Sequence, residues 1–175
     1  MPVVFRRPRR LSLLVGLLAA FWYAADLATK QWAIANLTGA PPRELFGGFM
    51  RLSLIRNPGA AFSLGTGSTW VLTLLAIAVL VVVLRSSRRL GSTGWAVAFG
   101  MLLGGALGNL TDRLMREPGF GRGHVVDFLD YNGWFIGNVA DIAIVAAALL
   151  IGLLALAGIH LDGTRDRADS AVVDE

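Results

Sequence analysis

The feature that most constrains this chain is the run GNVADIAIVAAALLIGLLALAGI, Gly137 to Ile159, within the apolar stretch Ile136–Ile159. A span of the hydrocarbon core needs about 20 predominantly apolar residues, with a range of about 17–25, and this stretch meets that outright. Three more apolar stretches precede it: Leu11–Ala25, Trp70–Leu84 and Trp95–Leu110. The first extends as a helix through Asp26 towards Asn36. The middle two reach span length with their Ser, Thr and Gly flanks. With 55% of its 175 residues hydrophobic, the chain is set apart from an ordinary soluble domain. The expectation is four transmembrane helices.

Arginine is clustered. Arg6, Arg7, Arg9 and Arg10 precede the first span, Arg85, Arg88 and Arg89 separate the second from the third, and Arg165 and Arg167 follow the fourth. By the positive-inside rule these clusters are cytoplasmic, so both termini are expected inside. Of the remaining seven basic residues, Lys30 lies at the outer end of the first helix and six fall in the two outer connections. Each dense cluster abuts a hydrophobic span, which argues for membrane topology and against a nucleic-acid partner. The chain has no cysteine, so thiol nucleophiles, disulfides and cysteine metal sites are excluded. The N-terminus imitates a secretory signal, yet three further spans follow, so an uncleaved first helix is expected.

Residues 1–10 read as a cytoplasmic basic arm, 11–161 as one membrane domain, and 162–175 as a disordered polar tail. Between Asn36 and Thr69 the alternating run MRLSLIRN, Met50 to Asn57, suits a strand, and Asn57-Pro58-Gly59 signals a turn. A small sheet on the outer membrane surface is expected, with Phe46, Phe49 and Trp70 at headgroup depth. Gly100, Gly104 and Gly108 recur every four residues, a stripe that lets another helix approach closely. No repeat relates the two halves of the chain, which counts against an inverted-repeat transporter.

Buried polarity concentrates at one end of the third and fourth spans. Asn138 and Asp141 are three apart in the fourth. Asp141 lies six residues past Phe135, about 9 Å deeper at about 1.5 Å per residue. A central Asp costs about 2.5–3.5 kcal/mol to insert and therefore faces a bundle interior or wet cavity. Asp127 sits in similarly apolar surroundings, between Val126 and Phe128. Two carboxylates about 3 Å apart share a proton; the ionised one can take a proton from water while the other polarises a carbonyl. That pair suits amide hydrolysis without a metal or a serine triad. Asn109, Asp112 and Arg113 share one helical face, and Asp112 is expected in a structural ion pair with Arg113. His124, with Asp127 and Asp112, has no recognised ligand spacing, so no metal and no cofactor is expected. His160 is expected at the membrane interface. Asp26 and Lys30 are an i,i+4 pair that either stabilises the helix end or aligns a substrate. The Asn57 amide can bind a peptide backbone.

The stretches DLATK, RNPGAAFS, GGALGNLTDR, HVVDF and FIGNVAD, in that order and each at a span end, together resemble the lipoprotein signal peptidase (signal peptidase II) family. The resemblance covers Asp26 to Asp141. It implies an intramembrane aspartyl peptidase of the bacterial inner membrane, with cytoplasmic termini and its site near the extracytoplasmic face. Four helices would carry a small sheet cradle and a covering loop. Asp127 and Asp141 would be catalytic, and Asn57, Asn109, Arg113 and Asn138 would line the substrate site. The implied partners are membrane lipids and prolipoproteins bearing diacylglycerol on the lipobox cysteine, cut just before that cysteine. The chain is expected to act as a monomer. Gly119, Gly121 and Gly123 predict a mobile segment between Arg113 and Asp127. Two rivals from other classes are a proton-coupled transporter using the same carboxylates and a non-catalytic membrane scaffold with buried polar staples.

Overall fold

The computed structural model describes residues 7–59 and 69–166. Its four helices are α1 (Arg7–Leu37), α2 (Thr69–Ser86), α3 (Thr93–Met115) and α4 (Val139–Leu156), all long and apolar enough to cross a membrane. Strands β1 (Arg43–Leu45) and β2 (Met50–Asn57) follow α1; β3 (Val125–Asp130) and β4 (Ile136–Gly137) precede α4. At about 1.5 Å per residue the 31 residues of α1 rise about 46 Å, more than a hydrocarbon core of about 30 Å. The excess carries its last turns out to meet β2 and β3.

α3 is the central helix, packing against α1, α4 and α2. It has the lowest mean hydropathy of the four, 1.2, yet 56% of that apolar window is buried, against 17–22% in the others. A helix walled in by helices needs small side chains, whereas one facing lipid needs bulky apolar ones. The glycine stripe supplies the close approach. A Cβ on Gly104 would come within 2.7 Å of the Ala19 carbonyl oxygen, and one on Gly100 within 2.6 Å of Leu18 Cβ. Gly105, on another face, clears the Ala140 carbonyl of α4. Packing is not the whole role of the stripe, because Gly108 makes room for the Asp26 carboxylate.

The four strands form one antiparallel sheet in the order β1-β2-β3-β4. β2 covers the alternating run identified in the sequence. β3 is nearly all buried, and its alternation divides two tasks. Phe128 packs edge-on against Trp32 of α1 and with Ala33 and Leu37, while Val125 and Asp127 line a groove between helices. Between the pairs Leu52–Leu129 and Ile55–Asp127 the register slips by one residue. Such a bulge re-aims the residues beyond it.

Three expectations change. The apolar run from Ile136 is not one helix: Ile136–Gly137 pair with β3, and α4 starts at Val139. Asp141 therefore lies in the first turn of α4 rather than about a turn and a half inside it. The glycine-rich segment after Arg113 is tied down. Gly123 N–H donates to the Arg113 carbonyl at 2.9 Å, His124 N–H to Glu117 at 2.9 Å, and the Thr73 hydroxyl to Gly121 at 2.8 Å. The start of the polar tail is also ordered. His160 N–H donates to Thr164 O at 2.8 Å, Ile159 pairs with Arg165, and Trp95 Nε1 donates to Ile159 O at 2.9 Å. His160, an exposed residue, pairs with Asp166 at 2.7 Å. The first residues of the basic arm, Ala60 to Ser63 of the RNPGAAFS motif, and the tail from residue 167 lie outside the described residues.

Candidate active site

Asp141 is placed by local sequence. Asn138 caps α4: its side-chain oxygen accepts from Asp141 N–H at 3.1 Å, and Asp141 Oδ2 accepts from Asn138 N–H at 3.0 Å. This reciprocal box satisfies two backbone donors that every helix start leaves unpaired. The N-terminal end of the helix dipole also favours a carboxylate. A charge in this segment is thus met by the helix end itself.

Asp127 reaches the same point from β3. Its Oδ1 accepts from Asn138 Nδ2 at 2.6 Å and its Oδ2 from Asn57 Nδ2 at 2.8 Å. Asp141 Oδ1 accepts from Asn109 Nδ2 at 2.9 Å. All four carboxylate oxygens therefore accept from amide N–H groups, and Asn138 is bonded to both acids. Asp127 is 2% exposed. Burial, opposed by the Asn57 hydrogen bond and reinforced by the Asp141 charge, pushes its carboxyl up to about 6. An acid titrating there can both accept and return a proton near neutral pH.

A second layer fixes the backbone beside each acid. Lys30 Nζ, fully buried, forms ion pairs with Asp26 Oδ2 at 2.7 Å and Asp112 Oδ2 at 2.9 Å and donates to Asn109 Oδ1 at 3.0 Å. Asp26 Oδ1 accepts from Ala140 N–H at 2.9 Å, next to Asp141; Asp112 Oδ2 accepts from Val126 N–H at 3.1 Å, next to Asp127. The partner of Asp112 is not Arg113, as expected, but Lys30 together with Arg116. A buried ion cluster adds little net stability after desolvation. What this one supplies is position: one ammonium spaces two carboxylates, each pinning the residue before a dyad acid.

Arg113 turns the other way, donating to the Gly59 carbonyl at 3.2 Å. The Thr69 hydroxyl donates to Pro58 O at 2.5 Å, and Gly59 N–H donates to Asn57 Oδ1 at 3.0 Å. The Asn-Pro-Gly turn is thereby held so that the Asn57 amide aims at Asp127. Sequence reasoning missed Arg116, Thr69 and Thr73. Arg116 was findable, four residues past Asp112 on one helix; the threonines carry no local signal.

The two acids stand at the polar end of a groove of about 440 Å³ between α2 and α4, floored by α3. Leu72, Leu75, Leu102, Ala106 and Ile144 make its apolar walls, and Asn57, Asn109 and Arg113 its polar end. All nine polar residues singled out from the sequence converge at this end of the bundle. Asn57, Asn109, Asn138, Asp127 and Asp141 form the inner network, Asp26, Lys30 and Asp112 brace it, and Arg113 braces the turn.

This is the class of membrane-embedded proteins with a paired-carboxylate site facing an apolar groove, and comparison with known proteins narrows the class. The family model described as signal peptidase (SPase) II matches residues 18–157. A lipoprotein signal peptidase of Rhodococcus jostii (strain RHA1) is 50% identical over 164 residues, covering 94% of this chain and 81% of the relative. One of Mycobacterium avium (strain 104) is 48% identical over 168 residues, covering 95% and 92%. Two solved structures of a bacterial membrane enzyme superpose with TM-scores of 0.68 and 0.69 at 29% and 27% identity. Each covers 80% of this chain, with 85% and 90% of the solved chains matched. The chain belongs to the signal peptidase II family. It is a multi-pass bacterial membrane protease acting on prolipoproteins, and nothing in these matches supports the transporter alternative.

Proposed function

We propose that Asp127 and Asp141 are the catalytic pair of this peptidase and that they activate one water between them. The observation that carries the assignment is the amide cage. Two acids from distant parts of the chain are joined through Asn138, with every oxygen aimed by an N–H donor, at the polar end of an apolar groove. The pair titrates as a unit. With one proton in common, the ionised acid removes a proton from water as it attacks the scissile carbonyl. The protonated acid polarises that carbonyl and later protonates the departing nitrogen.

The substrate reading is a prolipoprotein carrying diacylglycerol on its lipobox cysteine, cut just before that cysteine. The apolar groove suits a signal helix, and Asn57, Asn109, Arg113 and Asn138 are the groups that frame the peptide at the cut. Asp26, Lys30 and Asp112 act as positioning residues. Residues 11–161 form the catalytic membrane unit and work as a monomer. Both termini are cytoplasmic, and the sheet and dyad lie at the extracytoplasmic side; the arginine clusters support that orientation.

The test is incubation of the purified protein with a diacylglyceryl-modified precursor peptide and mass analysis of the products. Cleavage before the modified cysteine is expected. Asp127→Asn and Asp141→Asn should each lower turnover by about a thousandfold or more while the protein still inserts. Normal turnover by either variant would refute the pair.

A further inference from the structure

Charge is divided unevenly between the two ends of this molecule. At the sheet end seven cations, Lys30 and six arginines, stand against seven carboxylates, and ion pairs hold Lys30 and Arg116 there. At the opposite end the described residues include Arg9, Arg10, Arg85, Arg88, Arg89 and Arg165, but only two acids, Asp162 and Asp166. Both acids are engaged. Asp162 Oδ1 accepts from Thr164 N–H at 2.9 Å, and Asp166 pairs with His160 at 2.7 Å. Arg165 donates to the Ala157 carbonyl at 3.3 Å. The other five arginines are exposed, and among the described residues none has a carboxylate partner.

The fold gathers these five from two distant segments. α1 packs against the turn Ser87–Arg89. Leu11 and Leu14 of α1 lie on the apolar cluster that holds Val83 and Leu90, one on each side of that turn. Arg9 and Arg10, just before Leu11, therefore stand at the same end as Arg85, Arg88 and Arg89. Like charges crowded in this way repel, and the start of α1 adds to the cost. Its first turn holds no acid, so the positive end of the helix dipole meets further positive charge.

Beside the arginines the same two helices present a surface suited to hydrocarbon. Leu13 and Leu17 on α1, and Val82 and Leu84 on α2, are 58–62% exposed. A ligand that fits both features has an anionic head and apolar chains. A guanidinium meets a phosphate with two parallel N–H donors, and basic clusters next to membrane helices suit anionic headgroups. A soluble anion would answer the charge and forgo the apolar contact.

We propose that Arg9, Arg10, Arg85, Arg88 and Arg89 form a binding site for the phosphodiester headgroup of an anionic phospholipid, which ties α1 to the α2–α3 turn from outside the chain. Lipid supplies at this end the counter-charge that Asp26 and Asp112 supply to Lys30 at the other. The site is at the far end of the bundle from the paired acids. It depends neither on the peptidase reading nor on which leaflet this end faces.

The test titrates the full-length protein in neutral detergent with phosphatidylglycerol or phosphatidylcholine and counts bound lipid by native mass spectrometry. Phosphatidylglycerol is expected to bind at least tenfold more tightly. Arg88→Gln/Arg89→Gln should weaken it about thirtyfold, the effect of two arginines neutralised near a headgroup, and leave phosphatidylcholine binding unchanged. Arg43→Gln/Arg122→Gln removes the same charge from exposed positions at the sheet end and should change it less than about twofold. In wild type, raising salt from about 0.05 M to about 0.5 M should weaken phosphatidylglycerol alone, by about tenfold. Equal affinity for the two lipids, an equal loss in both double variants, or indifference to salt would each overturn the proposal. Displacement of the lipid by millimolar glycerol phosphate would make this a site for soluble phosphate, and would overturn it too.

Discussion

The two ends of the helix bundle are held by opposite means. Away from the sheet, Val15, Ala19, Val83, Leu90, Ala96, Phe99 and Leu103 form an apolar cluster. At the sheet end, Asp26, Lys30, Asp112, Asp127 and Asn138 are all 0–2% exposed and joined by hydrogen bonds. Dispersion contacts are non-directional, so an apolar cluster can relax around a change. A satisfied network of charges has few alternatives, because each lost partner leaves a buried polar group unpaired. One end makes the bundle; the other makes a geometry.

Breaking the brace should show that contrast most strongly. Lys30→Met leaves Asp26 and Asp112 buried without their common cation, an imbalance worth about 3–5 kcal/mol. Beyond that loss, kcat should fall about a hundredfold, the effect expected of misplacing catalytic groups by about 1 Å. KM should change little, and the pH–rate profile should move, because the ammonium holds Asn109, whose amide donates to Asp141, and its charge acts on Asp127. A kcat that tracks only the folded fraction, with an unmoved profile, would reduce Lys30 to a structural residue.

The opposite end should behave differently. Phe99→Ala, in the apolar cluster, is expected to cost about 2–3 kcal/mol, below the figure for soluble cores because no transfer from water is involved. Kinetic constants of the protein that remains folded should match wild type. A selective loss of kcat would show that the two ends are coupled.

A smaller effect sharpens the electrostatic side. Asp127 is raised in the folded state to about 6 from 3.8, so the folded protein binds more protons than the unfolded chain between those values. Stability contributed by its protonated form is present at low pH and lost as pH rises through that window, by about 2–3 kcal/mol at most. Thermal midpoints of wild type should therefore fall from about pH 4 to about pH 6 more steeply than those of Asp127→Asn. Parallel curves would contradict the burial argument. Smallest of all, Asp166→Ala removes an exposed partner of His160 and should change neither melting nor turnover measurably; a clear drop in melting temperature would assign the turn around His160 a structural role.

Much of this molecule is written in local spacing. Four spans follow from apolar length, and the extension of α1 past Asp26 follows from an unbroken helical pattern. β2 follows from two-residue alternation in MRLSLIRN. The Asp26–Lys30 pair is an i,i+4 relation that any helix enforces; the spacing of Asn138 and Asp141 reads as one helical face, whereas Asn138 stands just before the helix as its cap. β3 was not legible as a strand, because both its faces are covered and VVDFLD shows no clean alternation.

What only the tertiary structure decided are the contacts that cross the chain. Lys30 meets Asn109 and Asp112, Asn57 meets Asp127, and Asp26 meets Ala140. None of these has a period to read. Each depends on how closely helices and strands approach, as Gly108 permits for Asp26 and the β2 bulge sets for Asp127. Sequence spacing determines which side chains share a face; packing distance determines what that face touches.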